Sequence, residues 1–176
     1  MKKQTLSNFL AFTALCVFTG CVGTNNAGTS ADNIAASTVR VVRNFASFSD
    51  VVGEELKLAE VYVESTFSRE IIFDRDELIN EGVGDILTLN FDREMISGTG
   101  SPNRYSAPYT LGQGQAISIM PMRSTLMASI LQQPEKLPEH QFFSYMQNVY
   151  EWRIRSGNLE LLSRTEEGQE VRLVFE

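Results

Sequence analysis

Tyr150-Glu151-Trp152-Arg153-Ile154-Arg155-Ser156-Gly157-Asn158-Leu159-Glu160-Leu161 sets the fold class. Tyr150, Trp152 and Ile154 alternate with charged residues, and Leu159 and Leu161 flank Glu160, so each run places its apolar side chains on one face. A period of two with one apolar face marks half-buried antiparallel strands. Between the runs, Ser156-Gly157-Asn158 supplies residues that tolerate a tight reversal, so the stretch reads as a β-hairpin.

The same signal spreads outward in both directions. Val171, Leu173 and Phe175 alternate with Arg172, and Glu166-Glu167-Gly168 marks the turn before them. Upstream, Val39 and Val41 alternate with Arg40; Ile71 to Phe73 is a short apolar run; Leu87, Leu89 and Phe91 alternate with Thr88 and Asn90; and Ile117 and Ile119 bracket Ser118. Leu56 and Leu58 share one parity and Val61 and Val63 the other, so a bulge or bend is expected near Ala59. Gly112-Gln113-Gly114 is a turn signal; a phosphate loop would need further glycines or a lysine at a helix start. One segment changes period. Phe142, Tyr145, Met146 and Val149 stand at i, i+3, i+4 and i+7, which predicts a helix from about Pro138 to Gln147 with an aromatic stripe on the core. Pro138 suits its first turn, and Glu139 its positive end. The fold class is therefore α+β, mostly β.

The N-terminus carries a different message. Lys2 and Lys3 precede an apolar stretch from Phe9 to Phe18, then Thr19-Gly20, then Cys21. This order is that of a secretory signal peptide, and a cysteine directly after the small pair resembles the lipobox of bacterial lipoproteins. The apolar stretch is too short to span a bilayer, which takes roughly 20 residues. The expectation is a signal peptide at 1–20, a lipidated Cys21 carrying acyl chains of the palmitate class, and a flexible tether over 21–37. That tether is small, polar and too poor in apolar residues to offset its ordering entropy. The folded domain is expected at 38–176. A lipid-anchored chain of this kind belongs at the bacterial cell envelope, with the outer membrane as the expected site.

Composition narrows the chemistry. Cys16 would leave with the leader and acylation would block Cys21, so the mature chain would keep no thiol for catalysis, metal binding or a disulfide. The formal net charge is −7, and loss of Lys2 and Lys3 takes it to −9; such a surface repels nucleic acid and anionic headgroups. His140 is the one histidine, no Gly-x-Ser-x-Gly elbow accompanies it, and a zinc site lacks ligands. Asp74, Asp76, Asn80, Glu81 and Asp85 form an acidic stretch, but counting from Asp74 the calcium-loop pattern fails at Leu78, Ile79 and Asp85, so a solvated charged loop is expected. No enzyme, cofactor or metal is read from the sequence.

Two central segments resemble a known family. Ser97-Gly98-Thr99-Gly100-Ser101-Pro102-Asn103-Arg104-Tyr105-Ser106-Ala107-Pro108-Tyr109 is similar to the Ser-Gly…Gly-Cys-Asn-Arg-Tyr…Tyr segment of META (HslJ-like) domains. Met120-Pro121-Met122-Arg123-Ser124-Thr125-Leu126-Met127-Ala128-Ser129 is similar to their Met-Ala-x-Thr-x-Met-Ala-Cys segment. Gly53-Glu54-Glu55-Leu56-Lys57-Leu58 is similar to the opening strand, with Leu56 where tryptophan is usual. The resemblance spans about residues 50–176. It implies a strongly curved antiparallel sheet packed around one helix, and a part in heat-shock or envelope-stress tolerance with no established reaction. Cysteines that the family often carries in both segments are replaced by Ser101-Pro102 and by Ser129, so the disulfide that the resemblance would imply is absent.

Asn103, Arg104, Tyr105, Met122, Arg123, Thr125 and Met127 are the candidate interaction surface, for an envelope protein as partner. Arg, Tyr and Met are favoured at interfaces, and methionine adapts to irregular partners. The competing reading has Asn103 and Tyr105 securing a turn while the methionines fill the core. It is preferred here, because two of the methionines flank Pro121 in an apolar run, and solvent-facing methionines would reverse it. A second functional class is a domain that binds a small ligand or lipid in an apolar cavity left unfilled by Phe142 and Met146.

Overall fold

A computed structural model describes residues 43–76, 86–127 and 134–176, and among these the main elements are ten strands, a nine-residue helix and a short 3-10 turn at Phe48–Asp50. These residues all belong to one unit, residues 40–176. The leader, Cys21, the tether, the Val39–Val41 alternation, Asn80, Glu81, Asp85 and Ser129 lie outside the described residues.

The strands are β1 (Glu55–Glu64), β2 (Arg69–Asp74), β3 (Thr88–Phe91), β4 (Met95–Thr99), β5 (Arg104–Leu111), β6 (Ile117–Ile119), β7 (Arg123–Ser124), β8 (Glu151–Arg155), β9 (Asn158–Arg164) and β10 (Glu170–Phe175); the helix α1 spans Glu139–Gln147. All the strands pair antiparallel, in the order β6-β5-β4-β3-β1-β10-β9-β8, with β2 also on β1 and β7 also on β5. The sheet is curved but not closed. Its two ends meet at one place, where the Ile117 N–H donates to the Tyr150 carbonyl and the Trp152 N–H to the Gln115 carbonyl.

The quoted hairpin forms as expected. Arg155 faces Asn158, leaving Ser156-Gly157 as a two-residue turn with φ of 53° and 81°. Positive φ at both positions is the primed turn whose twist suits a hairpin. Gly168 (φ 84°) and Gly114 (φ 69°) serve the other two expected turns. The parity change near Ala59 is a bulge: the β1–β10 register slips between Leu58 and Glu60.

That bulge is also a fork. Glu55–Lys57 pair with β3, whereas Glu60–Glu64 pair with β2 on the same side of β1. At the split the Leu58 N–H of β1 still reaches the Leu87 carbonyl at 2.9 Å, and Arg75 fills in where no strand follows. Its Nε donates to the Leu58 carbonyl and its Nη2 to the carbonyls of Ile86 (2.8 Å) and Leu87 (3.3 Å). Residues 77–85 of the expected solvated loop lie outside the described residues; before them Asp76 is exposed and Asp74 half-buried, but Arg75 is buried, because a guanidinium with five fixed donors can serve several carbonyls at once.

The helix begins one residue later than expected, with Pro138 as its N-cap rather than inside the first turn. Phe142, Tyr145 and Met146 are buried against the sheet, and Val149, just past the helix end, is buried too. Ser163 of β9 fastens the helix by donating to the Tyr145 carbonyl at 2.6 Å. At the far end of the core, Phe48 packs edge-on to Phe91 (5.0 Å between ring centres) and tilted on Trp152 (5.0 Å) beneath the point where the sheet ends meet.

Candidate functional site

The loop from Gly100 to Asn103 joins β4 to β5, and the first turn of α1 holds it. Glu139 is buried, and its Oε1 accepts the Ser101 N–H (2.5 Å) and the Asn103 N–H (2.7 Å), while its Oε2 accepts Asn103 Nδ2 (2.6 Å). Asn103 then works in the other direction. Its Oδ1 accepts the Thr125 hydroxyl at 3.0 Å and the Met127 N–H at 2.7 Å. Thr125 closes the circuit by accepting the Arg104 N–H on Oγ1 and donating its own N–H to the Arg104 carbonyl. One carboxylate thus ties the helix, the β4–β5 loop and the segment after β7 into a single network. Glu139 was expected at a helix end, where its charge suits the dipole; its larger task, holding a loop 36 to 38 residues away, has no local sequence signal.

Gly98 and Tyr105 form a second fixed point. The Tyr105 hydroxyl donates to the Thr88 carbonyl at 2.7 Å, and a side chain at Gly98 would collide with both groups. Burial alone pushes the Tyr105 phenol far above its ordinary range. Its ring packs edge-on to Phe142 (5.8 Å) and Phe143 (5.4 Å), so β5 is keyed to the helix.

The candidate residues therefore divide. Asn103 and Tyr105 are buried with internal partners, as the turn-securing reading expected. The methionines do not follow that reading. Met122 is half-buried on the core, but Met127 is 60% exposed, Met120 is exposed, and Leu126, read with them as one apolar run, is 98% exposed. Arg104, Arg123 and Thr125 are exposed as well. The run misled because β7 is only two residues long, so the chain beyond it is held by Thr125 and Met127 backbone bonds without an inward-facing strand.

Register shows what shares this outer face. Met95 stands opposite Pro108, and the Met120 N–H donates to the Pro108 carbonyl at 2.9 Å. Thr99–Arg104 and Ser106–Arg123 are cross-strand pairs on the same side. Met95, Pro108 and Met120 thus form an exposed apolar row with two arginines beside it, on a chain of net charge −7. Leu111, also exposed, lies toward the β5 end. No sequence argument had singled out Met95 or Pro108; the strand pairing supplies them.

His140 is exposed on the helix, beside a cleft lined by Gln141, Ser144, Tyr145 and Glu167. Phe142 and Met146 are fully buried within the core. Among the described residues no helix is long and apolar enough to cross a membrane.

The sequence pattern of the META domain family matches residues 74–175. The chain belongs to the META domain family. The match begins at the end of β2, so β1, whose Gly53–Leu58 segment resembles the family's opening strand, precedes it. No curated protein matches this META domain chain in sequence. Solved structures similar to it include an NMR structure of a protein from Burkholderia xenovorans, at 15% identity and TM-score 0.49, over 73% of this chain and 85% of that one. A DUF4847 family protein from Bacteroides vulgatus is similar at 11% identity and TM-score 0.45, over 72% of this chain and 94% of that one.

Proposed function

We propose that this META domain protein is a non-enzymatic lipoprotein of the bacterial cell envelope, anchored through Cys21, and that it serves envelope maintenance under stress by binding another envelope protein. The observation that carries the reading is the exposed row of Met95, Pro108 and Met120 with Leu126 and Met127 beyond it and Arg104 and Arg123 alongside. Apolar side chains grouped on a surface favour association, and arginine and methionine are enriched where proteins meet. The network around Glu139 and Asn103 fixes the backbone on which these side chains stand, which lowers the ordering cost of docking.

Photo-crosslinking from position 120 in cells tests this. A protein adduct that disappears with Leu126→Ser and Met127→Ser supports the docking surface; an adduct pattern unchanged by both, or none at all, removes it. Labelling with a tagged fatty acid tests the anchor, and label that persists in Cys21→Ala refutes lipidation there. The rival reading, an apolar ligand cavity beside the helix, is disfavoured by the complete burial of Phe142 and Met146. A lipid retained in native mass spectrometry would restore it.

A further inference from the structure

The outer face of the other half of the sheet is built from charge. Register sets Arg153, Glu160, Val174 and Glu60 in one row across β8, β9, β10 and β1, and Glu151, Leu162, Arg172 and Tyr62 in the next. Arg172 is the hub. Its Nη2 lies 2.7 Å from Glu64 and 3.1 Å from Glu170, so its close contacts go to those two carboxylates. Glu160 receives what remains: Arg172 Nη1 at 3.8 Å from Oε2 and Arg155 Nε at 3.8 Å from Oε1.

The Glu160 side chain is 7% exposed, yet its Oε2 accepts no hydrogen bond. A buried carboxylate oxygen with only long ion pairs is poorly compensated for its lost hydration. Glu160 lines a cleft of about 410 Å³, within the usual range for small-molecule sites. Arg43 lines the same cleft, and its Nη1 forms an ion pair with Glu54 at 3.1 Å. Arg155, 58% exposed, stands on the rim. One cleft is therefore lined by a buried carboxylate held only by two ion pairs of 3.8 Å, with arginines of opposite charge beside it.

We propose that this cleft binds a small zwitterion of the amino-acid or short-peptide class. The ligand's ammonium donates to the Glu160 carboxylate, and its carboxylate accepts from the exposed Arg155 guanidinium. An ammonium brings three donors, and arginine meets a carboxylate with its planar fork. The walls carry both signs, with Arg43, Arg69 and Arg155 set against Glu60, Glu160 and Glu176, which suits a ligand that is itself of both charges.

Calorimetric titration of the detergent-solubilised full chain tests the proposal, with L-alanine and L-alanyl-L-alanine as probes and acetate and methylammonium as half-ligands. At least one zwitterion should bind, with affinity about tenfold or more weaker in Glu160→Gln and in Arg155→Gln. A free amino acid and a peptide are distinguished by which probe binds more tightly. No binding of either probe, equal binding by acetate, or affinity unchanged in the variants overturns the proposal. Should Glu160→Gln fail to fold, the surface variant Arg155→Gln decides alone.

Discussion

Truncating Glu139 to alanine removes the carboxylate that joins the helix to the β4–β5 loop. Three hydrogen bonds of 2.5, 2.7 and 2.6 Å go with it, and two of the donors are buried backbone N–H groups that water does not readily reach. Bonds to a charged partner contribute about 1.5–3 kcal/mol each. Because three converge on one group they are not independent, so a loss of roughly 3–5 kcal/mol is expected. That is a large share of the roughly 5–15 kcal/mol that holds a typical domain together. In urea, the unfolding midpoint should fall by on the order of 2 M, read from the fluorescence of Trp152, which packs 5.0 Å from Phe48 in the core. Glu139→Gln keeps an oxygen for the backbone donors but turns an amide toward Asn103 Nδ2, and should lose about half as much. Combining Glu139→Ala with Asn103→Ala should destabilise by clearly less than the two separate effects added together. A Glu139→Ala protein within about 0.5 kcal/mol of the parent, or a strictly additive pair, refutes the clamp.

Other perturbations test the remaining fixed points. Tyr105→Phe strands the Thr88 carbonyl and should cost about 1–2 kcal/mol in denaturant unfolding. Burial raises the Tyr105 phenol above its ordinary value of 10.0, so its neutral form contributes stability below that pH and loses it as pH rises; alkaline unfolding should be shallower in Tyr105→Phe. Gly98→Ala drives a methyl group into the Thr88 carbonyl and the Tyr105 hydroxyl, and should destabilise by about 1–3 kcal/mol or more in a thermal melt. Ser156→Asn places a residue better suited to positive φ in the β8–β9 turn and should raise stability by about 0.5 kcal/mol, whereas Gly157→Ala should lower it.

Alternation made much of the sheet readable, because a strand with one wet face writes its orientation into every second residue. The slip at Ala59 was legible for the same reason: a bulge moves the apolar residues to the other parity. β4 and β5 were less legible as strands. Their inward positions include Gly98 and Ala107, and Ser97, Ser106 and Pro108 dilute the pattern. Within the candidate site, burial of Asn103 and Tyr105 followed from their turn and aromatic character. The Glu139 clamp and the burial of Arg75 did not, since both depend on backbone groups brought close only by the finished fold. Exposure of Met120, Leu126 and Met127 was hidden because an apolar run looks the same whether a strand turns it inward or a short edge leaves it outside.

β1 hydrogen-bonds to β3, β2 and β10, so it is the long seam between the strands on either side of it, which touch again where β6 meets β8. Loosening that seam would weaken the support of both halves. The apolar row and the charged cleft thus share one supporting strand, so damage near Ala59 or Arg75 would be felt at both surfaces.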